Sequence, residues 1–574
     1  MLSIYWLGGA ASAPPFTRIA AMPHALASDF IDELVRLLGA DNVRADAAAV
    51  APYGQATFGT DRHAHGVLCP QTVDQVSSVV RLCRARGVPF YALSTGKNWG
   101  YGSASPAQSG WVINLSGLNR IRLFDERLGY VRIEPGVTLE QLYAFLQARG
   151  GRFWLDPAGS SPACSVIGNT LERGFGHTPY ADHAAQACAL EVVLPDGEVI
   201  DTGFGAFGPV KAKHVYMPGL GPSIDGLFYQ SGLGIVTAMT VWLMPAPERT
   251  CAFFIGLKRP EEYPALIDAL RPLRLSGRLR SAVHLGNAYR VLPSFTQFPW
   301  DQVPDGGPLQ GQALADQQHR YGVMAWHGSG ALYGTAGEIG EGKRALRWAL
   351  RGLDSRLIFI GDARMALLQR LQPLLARVGA GRLARQVNLL GPAYGLLKGI
   401  PTDRFLPTVY WRKRKPAPPH PDPDRDRCGL IWCAVLSEVI GDQADAVQKI
   451  TTDRLLAAGY EPAITTTFLS GRCLEHVISI SFDRDVDGED GRARRAFDTL
   501  LAALIAEGYL PYRLPTFAQG LMRQTQPGYQ QILSGLKAAL DPGRLFAQGR
   551  YAVNDARDDS DDSDPAPLPP VPLS

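Results

Sequence analysis

The thirteen residues Ser94-Thr-Gly-Lys-Asn-Trp-Gly-Tyr-Gly-Ser-Ala-Ser-Pro106 concentrate the residue types that hold an anionic ligand. Gly96, Gly100 and Gly102 permit positive φ and a close approach of backbone to ligand. Successive N–H groups in such a loop form an anion-binding nest, and Lys97 adds a cation beside a pyrophosphate-like group. The loop is not a Walker motif, because no Gly-Lys-Ser/Thr opens a helix. It also lacks the Gly-x-Gly-x-x-Gly spacing of a dinucleotide fingerprint. On composition alone a plain Gly-rich surface turn is equally open. Tyr101, His177, Tyr512 and Arg513 carry groups able to donate, accept or hold charge. Read singly, such residues pack or solvate.

The elements around the loop alternate. Thr72 to Arg86 places Val73, Val76, Val79, Val80 and Cys83 on a helical face, and Gly87-Val-Pro ends it. Phe90 to Leu93 then reads as a short buried strand that delivers the loop, with Trp111 to Leu115 as the next strand. Tyr130 to Glu134 is a further strand. Thr138 reads as an N-cap, with Gln141 completing a capping box over a helix to about Arg149. Asp196-Gly197 joins Leu190–Leu194 to Glu198–Ile200 as a hairpin. Ile235 to Met244 is a strand that runs into Pro245-Ala-Pro247, a domain boundary. Beyond it helices such as 264–274 and 363–378 mix with strands such as 430–436 and 476–482. Pro416 to Pro423 reads as a solvated surface loop. No fixed-period repeat is present.

The 574 residues allow two or three domains, and the formal charge of +3 speaks against nucleic acid or an acidic membrane as partner. No run approaches the ~20 apolar residues of a membrane span. None of the 8 cysteines forms a Cys-x-x-Cys pair, so they read as reduced thiols of a cytoplasmic protein with no metal site. Residues 1–21 are expected to be disordered or an over-extended start. Residues 554–574, acidic and proline-rich, are expected to be disordered.

A strand followed by Ser-x-Gly-Lys-Asn-x-Gly-Tyr-Gly resembles the signature loop of the vanillyl-alcohol oxidase / p-cresol methylhydroxylase subgroup of PCMH-type flavoproteins, with Lys97 where Arg is usual. The resemblance extends through Ser165-Val-Ile-Gly-Asn169 to His183, Gly221 to Phe228, Ser231 to Thr237, Gly399 to Thr402, Tyr410 to Arg412, Tyr512-Arg513 and Asp541 to Phe546. It covers roughly residues 65 to 550. It implies an α+β fold, in which a PCMH-type FAD-binding domain (22–247) is joined by a substrate or cap domain (248–505). The cap carries an antiparallel sheet flanked by helices, and a C-terminal segment (506–553) returns to the first domain. It further implies FAD, held by Ser94, Thr95, Gly96, Lys97, Asn98, Tyr101, Gly102, Ser165, Gly168, Asn169, Gly174, Gly234, Ile235, Val236, His476 and Arg513. The implied reaction is hydride transfer to flavin N5 from a phenolic or related aromatic small molecule with a para-alkyl or para-hydroxyalkyl group. Tyr101, Tyr512 and Arg513 would cradle the phenolate. Electrons would pass to O2, a cytochrome or another carrier. The resemblance also suggests a homodimer, though no stretch of sequence marks an interface.

The chain departs from the family at two places. The family's aspartate near flavin N5 has no counterpart: Gly159 or Ser160 stands at its place, and Asp156 matches a different aspartate. His177 replaces an active-site tyrosine and could act as a general base. Neither a His nor a Tyr stands at the family's tether position in Cys428 to Cys433, and Lys97-Asn98 replaces the His of another tether, so FAD is expected to be non-covalent. The alternative function is a catalytically altered flavoprotein kept as a partner subunit or scaffold.

Overall fold

The computed structural model describes residues 24–377 and 381–552. The expected disordered ends, 1–21 and 554–574, lie outside the described residues. Strands β1 (Val43–Arg44), β2 (Ala64–Leu68), β3 (Phe90–Leu93) and β4 (Gly110–Asn114) form one sheet in the order β1-β2-β4-β3. β3 and β4 run parallel, so the chain between β2 and β3 must cross over, and the helix Val73–Arg86 makes the crossing. Thr72 caps that helix by accepting from the Gln75 amide, and Gly87 closes it at φ +65°. Val76, Val79, Val80 and Cys83 bury against Phe90, Trp111 and Ile113, with Phe30 edge-on to Trp111.

The second sheet contains β5 (Ile121–Asp125), β6 (Tyr130–Ile133), β8 (Ala187–Val193), β9 (Val199–Asp201) and β10 (Ile235–Trp242), in the order β5-β6-β10-β8-β9. A separate pair joins β7 (Phe153–Trp154) to β11 (Met244–Pro245). The Asp-Gly hairpin forms, with Val193 opposite Val199. The capping box forms only in half. Thr138 accepts from the Gln141 amide, but the Gln141 side chain donates to the Asn119 carbonyl at 2.8 Å instead of returning to the cap.

The third sheet is antiparallel and has eight strands: β12 (Arg249–Leu257), β13 (His284–Asn287), β14 (Trp326–Gly334), β15 (Ser355–Gly361), β16 (Cys428–Glu438), β17 (Ala463–Phe468), β18 (Cys473–Asp483) and β19 (Pro511–Arg513). Its order is β15-β12-β14-β13-β17-β18-β16-β19. Side chains alternate across it. Leu285, Ile431, Cys433, Ile464, Leu474, Ile478 and Ile480 enter a core shared with the helices Tyr263–Leu275, Ala336–Ala349, Gly441–Ala458 and Glu489–Ala506. The residues between them line a cleft on the opposite face. The C-terminal segment first adds β19 to the edge of this sheet. It then reaches the first sheet, where Phe90 N donates to the Leu545 carbonyl and Ala547 N to the Phe90 carbonyl.

Candidate active site

A cleft of about 430 Å³ is lined by residues of all three sheets and the returning segment, within the range of small-molecule sites. A broader trough of about 1040 Å³ around Asn119, Arg120 and Phe145 carries none of the motif residues.

β3 delivers the loop Ser94–Pro106 into the cleft. Its far end is pinned to the third sheet. Thr57 accepts from Gly100 N at 2.9 Å and donates to the Leu430 carbonyl at 2.8 Å, and Trp432 N donates to the Gly100 carbonyl. Gly100 sits at φ +78°, where a Cβ would fall 2.0 Å from Trp432 Cδ1, so no other residue fits. The near end is tied to the helix Val166–Leu171, as Thr95 Oγ1 accepts from Ser165 N at 3.1 Å. The amides of Gly96, Lys97 and Asn98 donate to no protein acceptor among the described residues, although these residues line the cleft. Unsatisfied donors on a glycine-rich turn fit the pyrophosphate of FAD. Gly168, Asn169, Gly174, Gly234, Ile235 and Val236 line the same cleft.

Lys97 does not serve as the free cation expected of it. Its ammonium pairs with Asp422 at 3.0 Å, in the proline-rich excursion. That excursion is therefore more than a solvated loop, since Asp424 accepts from Trp99 Nε1 at 3.0 Å and Ser103 Oγ at 2.7 Å. Burial pushes the Asp424 carboxyl up to about 7.

Tyr101, Tyr512 and Arg513 meet at one end of the cleft. The Arg513 guanidinium lies 4.2 Å from the Tyr101 ring centre and donates to Asn98 Oδ1 at 2.5 Å, across 415 residues of sequence. Glu172 pairs with both Arg513 and Arg550. Burial works against the charge on each group, but the ion pairs override it: Glu172 titrates lower than usual and Arg513 higher. Two guanidinium groups on one carboxylate leave a net positive charge. Burial raises both tyrosines well above the ordinary phenol range, so both remain neutral donors.

Glu475 is fully buried behind this trio, and neither of its carboxylate oxygens accepts a hydrogen bond. Burial pushes it up to about 8, and Tyr512 and Arg513 only partly offset that. Sequence reasoning selected its neighbour, His476. The structure turns His476 to the other face of β18, where it bonds Ser437 at 2.8 Å and Thr466 at 3.0 Å, away from the cleft. One step along a strand exchanges faces, so the cleft side carries Glu475 and Val477.

His177 lines the cleft beside His284, with ring centres 4.4 Å apart. Burial lowers His177 to about 4 and His284 well below its ordinary value. His284, absent from the sequence reading, is fixed by Thr467 at 3.0 Å and the Gly176 carbonyl at 3.2 Å. Asp156 faces the loop instead of the cleft, accepting from the His177 and Thr178 amides and from His183 at 3.0 Å. Gly159 and Ser160 line the cleft, and Glu172 is the only carboxylate among the described residues lining it.

The arrangement can hold a flavin along the loop and a phenolate between two neutral hydroxyls and a cation. Residues 64–203 match a family model described as an FAD binding domain. The chain is 39% identical to the 1'-carboxy-chondrochloren decarboxylase of Chondromyces crocatus over 517 residues, covering 90% of this chain and 95% of that protein. It is 29% identical to the flavoprotein subunit of the 4-cresol dehydrogenase [hydroxylating] of Pseudomonas putida, covering 90% and 94% of the two chains. Among solved structures, the 4-ethylphenol oxidase of Gulosibacter chungangensis, in complex with isoeugenol, superposes with a TM-score of 0.83 at 27% identity, covering 93% and 98%.

Proposed function

Because the chain belongs to the p-cresol methylhydroxylase subgroup of PCMH-type FAD-linked oxidoreductases, we propose that it oxidises a para-substituted phenol at the benzylic carbon. The observation that carries this reading is the convergence of Tyr101, Tyr512 and Arg513 on one end of the FAD cleft. FAD, when bound, supplies a two-electron acceptor for a hydride from the substrate. The two tyrosines donate hydrogen bonds to the substrate oxygen. Arg513 supplies the charge that lowers a phenol from about 10. The phenolate then releases electron density toward the benzylic carbon, and departure of a hydride leaves a p-quinone methide. The buried walls keep bulk water from that electrophile. Reoxidation by O2 or by a protein carrier completes the cycle.

A second reading concerns the fate of the quinone methide. Addition of water to it needs a base to take the water's proton. His177, held at about 4, and His284, held well below its ordinary value, are poor acceptors near neutral pH, and no free carboxylate lines the described cleft. Loss of CO2 from the carbon beside the benzylic position needs no base. The electron pair of the C–COO⁻ bond forms the new C=C bond and restores the phenolate. The relative named as a decarboxylase accords with this outcome.

Anaerobic mixing of the holoenzyme with 4-ethylphenol and with 3-(4-hydroxyphenyl)propanoate tests both readings. Bleaching of the flavin supports phenol oxidation, and failure of every para-alkylphenol to bleach it leaves a partner-subunit role. 4-Vinylphenol and CO2 as products of the acid support decarboxylation; a benzylic alcohol refutes it.

A further inference from the structure

Arg290 follows β13 in the short helix Ala288–Val291 and lines the cleft at its third-sheet end, beside Trp432, Thr408 and Val409. Its guanidinium lies 6.0 Å from the Trp432 ring centre. The side chain lies over Gly286, whose missing Cβ would have come 3.5 Å from Arg290 Cγ. Among the described residues this guanidinium has no hydrogen bond and no ion pair; only its backbone amide is bonded, to Asn287.

The carboxylate near the adjoining recess, Glu461, is committed elsewhere. It bonds the Arg412 guanidinium at 2.7 Å, Trp411 Nε1 at 3.1 Å and Leu309 N at 2.9 Å. Burial lowers the Arg290 pKa, and no neighbouring carboxylate acts to raise it. The contrast with Arg412, Arg513 and Arg550 is sharp, since each of those holds a carboxylate. The side chain is half-buried on the cleft wall, so its charge faces the cleft without a protein counter-charge, which a ligand's carboxylate can supply. The free amides of Gly96 to Asn98, which suit a diphosphate, follow the end of the loop where Thr95 meets Ser165. Arg290 stands with Trp432 at the end where Gly100 is pinned.

We infer that Arg290 recognises a carboxylate carried by the aromatic substrate, making the enzyme selective for phenolic acids over neutral alkylphenols. The inference rests on the phenol-oxidation reading and adds the substrate class. Planar guanidinium geometry suits a carboxylate held by two parallel N–H bonds. Arg290 acts here as a specificity residue, with the phenolate end left to Tyr101, Tyr512 and Arg513.

The test compares the holoenzyme with Arg290→Gln and Arg290→Lys, using 3-(4-hydroxyphenyl)propanoate and 4-ethylphenol in anaerobic flavin bleaching. The wild type is expected to favour the acid. Arg290→Gln should lower the acid-to-ethylphenol ratio of kcat/KM at least tenfold, mainly through KM for the acid, and Arg290→Lys should recover part of it. An equal fall for both probes would assign Arg290 a structural role and overturn the inference. Loss of bound FAD from Arg290→Gln would also overturn it, by assigning the charge to the cofactor. An acid-to-ethylphenol ratio that does not respond to either variant would do the same. Failure of the wild type with both probes would instead defeat the phenol-oxidation reading itself.

Discussion

Replacing Glu475 with glutamine keeps the shape of a buried side chain and removes its titration. The folded chain holds this carboxyl at about 8, against an ordinary 4.5. Between those values the native state keeps a proton that the unfolded chain has released. Stability therefore falls as pH rises through that window. Below 4.5 both states are protonated and the group contributes nothing. Near pH 7 the difference spans about two and a half pK units, or about 3 kcal/mol at 1.36 kcal/mol per unit. Near pH 5 it is below about 1 kcal/mol. Glu475→Gln should thus be close to wild type in denaturant midpoint at pH 5 and clearly more resistant at pH 7, read by urea titration of the holoenzyme. Catalysis should follow the same group. Above about 8 the carboxylate places negative charge beside Tyr512 and opposes the phenolate, so wild-type flavin reduction by a phenol declines there while the variant holds its rate. A stability difference of one size at every pH would refute the reasoning, because an amide's better or worse packing has no reason to titrate.

Arg513→Ala removes a charged donor worth about 1.5–3 kcal/mol to a phenolate, so stopped-flow flavin reduction by 4-ethylphenol should slow by about 10- to 150-fold. An unchanged rate would leave the phenolate cradle without its cation. Gly100→Ala should lose FAD occupancy, measured as the visible-to-ultraviolet absorbance ratio, since its Cβ would meet Trp432 at 2.0 Å. Acid precipitation should release the yellow colour into the supernatant, because Leu430 and Trp432, the residues of β16 that line the cleft, offer no group for a covalent link.

The fold was legible because its local signals agree with its global needs. Asp196-Gly197 between two apolar runs leaves little alternative to a hairpin, and Thr72 with Gly87 brackets a helix at both ends. The convergence of Tyr101 with Arg513 was legible only through the motifs that carry them, since nothing local ties together loops so far apart, as the Arg513–Asn98 bond across 415 residues shows. Glu475 was missed for a reason of phase. His476 draws attention as a chemical group, but the pattern Leu474, Ile478, Ile480 marks the even positions of β18 as core-facing. That alternation was available in the sequence and would have pointed to Glu475. His284 gave no such signal, as its place depends on β13 pairing with β17, far along the chain. The committed state of Lys97 and the freedom of Arg290 were likewise hidden, because each depends on which carboxylates fold nearby.

The two departures from the family are linked by geometry. Gly159 or Ser160 stands where the phenol oxidisers carry an aspartate, and a Cβ built at Gly159 would lie 3.3 Å from His177 Nε2. A side chain at 159 would therefore press on the imidazole. Set against the family pattern, both departures reduce volume at one wall of the cleft, which Gly159, Ser160 and His177 line together. Where the family carries a charged acid/base, this wall offers a ring that burial holds neutral near pH 7. A wall without a base cannot take the proton of an attacking water. Under the proposed function, Tyr101, Tyr512 and Arg513 keep the phenolate end of the cleft, and the fate of the quinone methide is where this chain would differ from the phenol oxidisers.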